Sequence, residues 1–127
     1  MNASGALIAA AIAALRDVPG LTGVHEESPF RAAIPSATVA AGLETDWSHK
    51  SGAGRELRLS ILLRDEGESP AQLRALCGAV QAVLDGLETA DGWSLVTLIF
   101  VRSMIAAQAP GKWSAAIDYR ARMLRED

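Results

Sequence analysis

The sequence predicts an α+β domain: an antiparallel or mixed sheet of about four main strands, with two helices packed on one face. Three observations carry this prediction. Arg55–Arg64 alternates Leu57, Leu59, Ile61 and Leu63 with Glu56, Arg58, Ser60 and Arg64, interrupted only by Leu62, the period of a strand with one buried face. Ser69–Leu87 opens on a helix start and places its large apolar residues on one helical stripe. Ser94–Leu124 reads as two strands around a Pro-Gly turn. With an opening helix and two earlier strands, the order is α-β-β-β-α-β-β, and 127 residues make one domain, 1–127.

The elements follow in order along the chain. Ser4 is placed to cap a first helix whose Leu7, Ile8, Ile12 and Leu15 share a face, and Pro19-Gly20 ends it. Gly23–Glu27 reads as a short strand, broken by Ser28-Pro29. Ile34–Leu43 carries Pro35, which lacks a ladder donor, so it is either an edge strand or one that begins after the proline. A one-residue slip of Arg55–Arg64 would turn its four aliphatic side chains to water, which fixes its register.

In the second helix Ser69 is read as the cap, Pro70 as the first helical residue and Gln72 as the far side of a capping box. Leu73, Leu76, Cys77, Val80, Val83, Leu84 and Leu87 form its apolar stripe, and Gly86 is placed for a left-handed cap. Asp91-Gly92 marks a turn. Ser94–Ala106 is then apolar on both faces, as in a central strand covered on both sides. Ala109-Pro110-Gly111-Lys112 turns the chain into Trp113–Leu124, whose Trp113, Ala115, Ile117, Tyr119, Ala121 and Met123 oppose Ser114, Asp118, Arg120 and Arg122.

Two features resist burial inside a lone subunit. If the helices cover one face of the sheet, the other face of Ser94–Ala106 still presents Val96, Leu98 and Phe100, a patch that asks for a partner or for the long loop folded back over it. Residues 44–54 form that loop, longer than the about two to five residues of a hairpin connection, with Trp47 at its centre. The indole needs a cover, supplied by its own domain, by a second copy or by a different partner.

Composition narrows the function. Half the residues are apolar and 21% are charged, the profile of a folded chain. The net charge is −3 and no run clusters Lys with Arg, so no nucleic-acid footprint is visible. The apolar run Ala6–Leu15 lacks a preceding basic segment, meets Arg16-Asp17 instead of a cleavage site, and is too short for a bilayer; a cytoplasmic protein without membrane contact is expected. The single cysteine, Cys77, forms no internal disulfide and on its apolar stripe reads as a small core residue.

No catalytic set assembles, and no metal or cofactor is expected. His25 and Glu27 would share a strand face, yet zinc needs three or four ligands and the other histidine, His49, sits in the loop. No serine occupies a Gly-x-Ser-x-Gly elbow, and Gly52-Ala53-Gly54 precedes no helix that would make it a phosphate cradle.

The segment Asp46-Trp47-Ser48-His49-Lys50, followed by Gly54-Arg55-Glu56 and the alternating strand, resembles the tail completion or tail terminator proteins of tailed bacteriophages, especially those of gene transfer agents and alphaproteobacterial prophages. The likeness extends over the opening helix, the Pro-bearing strand, the helix Pro70–Leu84, and the strands Leu95–Phe100 and Trp113–Arg122. It departs at Ser36-Ala37-Thr38 and near Leu62-Leu63, where family members often carry an aromatic residue.

The resemblance implies a ring, typically a hexamer, that caps the head-proximal end of the tail tube, stops its polymerisation and meets the head connector. The implied partners are the chain itself, the tail tube protein and head–tail connector proteins, with DNA passing through unbound. The implied location is the bacterial cytoplasm during assembly and then the particle's tail. Trp47 would be an interface anchor, with Asp46, Ser48, Lys50 and Arg55 around it and Val96, Leu98 and Phe100 as a second contact. Two other readings are a head–tail stopper or adaptor ring, and a small ligand-binding or enzymatic domain using His25 and Glu27.

Overall fold

The computed structural model describes residues 1–26 and 33–126. Its elements run α1 (Ala3–Leu15), β1 (Gly23–His25), β2 (Ser36–Asp46), β3 (Gly54–Glu66), α2 (Ala71–Leu84), β4 (Trp93–Ala109) and β5 (Lys112–Arg125). This is the expected α+β order, with β1 joining as a short fifth strand. The sheet is mixed: its spatial order is β1-β2-β3-β5-β4, and β1 pairs parallel to β2 while the other neighbours are antiparallel. Ser28-Pro29 and Glu27 lie outside the described residues.

Both helices lie on one face of the sheet, and the core fills the space between. From β3 it takes Leu57, Leu59, Ile61 and Leu63, and from β5 Ala115, Ile117, Tyr119, Ala121 and Met123, all buried and all facing the helices. Each buried Leu or Ile side chain contributes about 1.5–3 kcal/mol before ordering entropy is subtracted. The period-two patterns of β3 and β5 therefore hold as written.

The helices approach differently from their patterns. On α1 the fully buried residues are Ala3, Ala6, Leu7, Ala11 and Leu15, and Ile8 and Ile12 pack only at the margin of the core. The small alanines let the helix lie close to the sheet. Its cap is Asn2 instead of Ser4: Asn2 Oδ1 accepts the Gly5 N–H at 2.8 Å and the Ser4 hydroxyl at 3.2 Å.

On α2 the stripe Leu73, Leu76, Cys77, Val80 and Leu84 is buried as expected. The capping box is not formed, because Pro70 itself occupies the cap position and Ser69 Oγ reaches only the Ala71 N–H, at 3.4 Å. Gly86 does not supply a left-handed cap; Asp85 ends the helix in right-handed geometry. The positive-φ turn is instead at Asp91-Gly92, with φ of 59° and 87°.

The structure decides one strand reading and corrects two others. β2 begins after Pro35 and lies inside the sheet between β1 and β3, so the second of the two alternatives holds. The segment 44–54 is no long loop. β2 and β3 run on through Asp46↔Arg55, Trp47 N–H donates to Gly54 O at 2.9 Å, and His49 and Gly52 close the tip with mutual backbone bonds of 2.9 and 3.1 Å. The result is a hairpin arm with Lys50-Ser51 at its end. Its length was misread because Glu44, Thr45 and Asp46 carry strand geometry despite polar side chains that face water.

The second correction concerns β4. It is an edge strand and not a central one, because α2 carries the chain past the position that β5 later fills. Its two-sided apolar pattern has another cause. Register shifts between Leu95 and Thr97, and between Phe100 and Arg102, insert Val96 and Val101 as extra residues. Each bulge resets the alternation, so apolar side chains appear on both faces without being covered on both.

Candidate functional site

The sequence-predicted site residues fall into two surfaces, on either side of β5. The first is the hairpin arm. Asp46 Oδ1 accepts the Ser48 hydroxyl at 2.6 Å and Arg55 Nη1 at 3.3 Å, and Ser48 Oγ accepts the Gly54 N–H at 3.1 Å. Arg55 also donates to the Gly54 carbonyl at 2.8 Å. These bonds tie Asp46, Ser48 and Arg55 to the base of the arm. The Asp46 carboxylate is exposed, so the ion pair itself is screened and worth at most about 1 kcal/mol.

Trp47 is half-buried rather than bare, and its own domain supplies the cover. The Arg122 guanidinium lies 5.4 Å from the ring centroid, and His49 meets the ring edge-on at 4.6 Å and 78°. Gly54, opposite Trp47, makes the close strand approach possible: a Cβ there would overlap the Trp47 carbonyl and press on Leu124. Lys50 stands exposed at the tip. The arm is thus a built projection with an aromatic side and a cationic end.

The second surface is the free edge of β4. Val96 and Phe100 are each 47% exposed and Met104 66%, with Ile99 and Val101 also open. Leu98, by contrast, is partly buried and packs against the core. Phe100 sits edge-on against the buried Tyr119, centroids 6.0 Å apart at 80°, so one side of its ring is fixed and the other faces water. An edge strand of 17 residues with apolar groups on both faces is a ready template for strand addition. Ile99, Val101 and Met104 were missed in the sequence because a simple alternation hides the bulges.

A third feature was absent from the sequence reading. The sheet face away from the helices gathers Arg58 and Arg64 from β3, Arg120 and Arg122 from β5, and Arg102 from β4. Glu56 Oε1 is shared by Arg122 at 3.0 Å and Arg120 at 3.8 Å. Asp118 accepts Arg102 at 2.8 Å and Ser60 at 2.7 Å, and these bonds hold its carboxyl below the usual aspartate value. Spacing along one strand cannot reveal such a cluster; strand pairing creates it. The expectation that the chain lacks a basic patch is corrected accordingly.

Among the described residues no three of His, Cys, Asp and Glu come together to hold a metal. His25 ends β1, and its expected companion Glu27 lies outside the described residues. Cys77 is buried against the core, and burial pushes its thiol up from the ordinary value. Among the described residues no helix is long and apolar enough to cross a membrane.

The domain has two helices on a five-strand sheet, a projecting hairpin and an open apolar edge strand. The family model for the tail completion protein gp17 matches residues 5–124, and the chain belongs to that family, a structural class of phage tail proteins. A chain from the structure titled "Virion of native gene transfer agent (GTA) particle" shares 27% sequence identity with a TM-score of 0.75. The match covers 98% of this chain and 99% of that one. No curated protein sequence matches.

Proposed function

We propose that this protein is the tail terminator of a phage or phage-like particle, forming a ring, typically a hexamer, on the head-proximal end of the tail tube. The observation that carries the proposal is the open β4 edge with Val96, Ile99, Phe100, Val101 and Met104 in water. A ring needs two different surfaces on each subunit that meet head-to-tail. The β4 edge and the hairpin arm are two such surfaces, placed on different strands of one rigid sheet. Trp47 serves as the anchor of the arm, Lys50 and Asp46 set its register, and Ser48 and Arg55 hold its base. Family membership supports the tail location, and the gene transfer agent neighbour supports placement within a particle.

In this reading the tube protein occupies one face of the ring, connector proteins the other, and DNA passes through the centre. Assembly takes place in the bacterial cytoplasm before the ring becomes part of the particle. The test is addition of the purified protein to polymerising tail tube protein. Tubes stop growing and carry a terminal ring in negative-stain images, whereas Trp47→Ala and Met104→Asp leave tubes long and uncapped while far-ultraviolet circular dichroism stays native. Capping by both variants at wild-type efficiency would remove the two surfaces from the reading. A head–tail stopper would instead pull down connector protein and leave tube length unchanged.

A further inference from the structure

The helix-free face of the sheet carries a charge pattern that structure alone does not require. Arg58 of β3 is directly paired with Arg120 of β5. Side chains at directly opposed positions stand about 4.5–5.5 Å apart at Cβ, and like charges there cost stability. The sheet keeps this pair and surrounds it with Arg102 and Arg122, with Arg64 farther along β3. Among the described residues Glu56 and Asp118 are the carboxylates interleaved among these five, both already engaged by Arg122, Arg120 and Arg102, while Glu66 lies beyond Arg64 opposite Lys112. Arg58 and Arg64 are exposed and have no carboxylate within 4.0 Å among the described residues. The face is therefore positive on a chain whose net charge is −3.

We infer that this face is a phosphate-contacting surface that runs along the backbone of double-stranded DNA, without reading its sequence. Two properties point to that occupant. The face is charged at its centre, where Arg58, Ser60, Val101, Arg102 and Asp118 line a shallow open depression, and the unpaired Arg58 guanidinium there complements phosphate. Ile99 and Met104 of β4, paired with Arg120 and Ala116, border the same face at its open edge. Arg58 and Arg64 lie six residues apart on one strand, about 20 Å, so two free guanidiniums span several phosphates of a duplex.

Glu56 and Asp118 complete the design. They hold the Arg122 and Arg102 guanidiniums in place, with Glu56 also 3.8 Å from Arg120, and reduce the free positive charge, which keeps the contact weak. A weak, delocalised phosphate contact guides a duplex while letting it slide. The inference rests on the ring reading for where the duplex lies, since the helix-free face would then line the channel.

The experiment measures binding of the full chain to a short fluorescent DNA duplex by anisotropy across a salt series, with Arg58→Gln/Arg64→Gln as the variant. Wild-type protein is expected to bind duplexes of unrelated sequence equally, and to lose about tenfold in affinity between about 50 and 200 mM salt for two phosphates engaged. In the double variant the slope of log affinity against log salt falls by about two. Tube capping by the same variant, measured in parallel, is expected to be unchanged. Absence of wild-type binding at low salt, an unaltered slope in the variant, or equal displacement by polyglutamate would each overturn the inference; the last would assign the face to an acidic protein. Failure of wild-type protein to cap tubes would instead bring down the ring reading, whatever the DNA result.

Discussion

The Arg122 guanidinium lies 5.4 Å from the Trp47 ring centroid while its Nε donates to Glu56 Oε1 at 3.0 Å. One side chain on β5 thus fixes the base of the hairpin arm and at the same time belongs to the arginine face. The anchor residue of the proposed arm is held ready on the free subunit, which lowers the ordering entropy of docking.

Arg122→Ala should therefore loosen the arm without unfolding the domain. A cation–π contact of this exposure is worth about 0.5–1 kcal/mol and the ion pair less than about 1 kcal/mol, so the urea midpoint should fall by the equivalent of about 1 kcal/mol. Acrylamide quenching of Trp47, taken as the difference between the variant and its Trp47→Phe counterpart, should rise. Quenching that does not change would show that the guanidinium does not cover the indole.

Gly54→Ala tests the close approach of the two strands of the arm. The added methyl meets the Trp47 carbonyl, which is backbone and cannot rotate away. Crowding of this kind typically costs about 1–3 kcal/mol. Hydrogen exchange should speed up at Trp47, His49 and Gly52, whose amides close the arm, while the β3–β5 ladder keeps its protection. Protection lost evenly across the sheet would mean that the arm is not a separate unit.

How far the fold was legible follows from where patterns are pure. β3 and β5 alternate with a single break each, at the paired Leu62 and Ala116, and face one core, so Leu57 to Leu63 and Ala115 to Met123 could be placed by period alone. β4 could not, because Val96 and Val101 are bulge residues, and a bulge is set by pairing with β5 and leaves no local mark. The hairpin arm was hidden for a related reason. Glu44 to Asp46 extend the strand by backbone pairing beyond the helices, where no apolar side chain is needed.

The candidate site divides in the same way. Trp47 was visible as an isolated indole among polar residues, and the structure finds it at the centre of the arm. The arginine face was invisible, since its members come from three strands separated by as many as 64 residues between Arg58 and Arg122. Charge that is dispersed in sequence and gathered by topology has no compositional signature in a chain of net −3.

Asp118 gives the arginine face a pH dependence with a definite sign. Hydrogen bonds from Arg102 and Ser60 lower its folded value below that of the unfolded chain. The folded state then binds fewer protons, so this contribution is present above pH about 4 and disappears as pH falls through the folded value. Asp118→Asn should flatten the stability profile in that acid range while changing little at higher pH beyond a constant offset of about 1 kcal/mol for weakened bonds. A profile as steep as wild type would place the acid-sensitive group elsewhere.

Tyr119, the chain's only tyrosine, behaves in the opposite direction. Its ring is buried under α2 beside Phe100, and among the described residues its hydroxyl has no partner within hydrogen-bond distance. Burial, with Asp85 and Cys77 adding to it, pushes the phenol up to about 12, against about 10 in an unfolded chain. The folded state holds its proton where the unfolded state has released it, so stability falls as pH rises from about 10 towards 12. Tyr119→Phe removes a hydroxyl that burial leaves unpaired and should raise stability near neutral pH by about 1 kcal/mol. It should also remove the tyrosine's share of the alkaline loss. Absorbance titration reads the phenol directly, with a midpoint near 12 for folded wild-type protein. A loss of stability in the phenylalanine variant would mean that the hydroxyl is bonded, and a midpoint near 10 would mean that the ring is open to water.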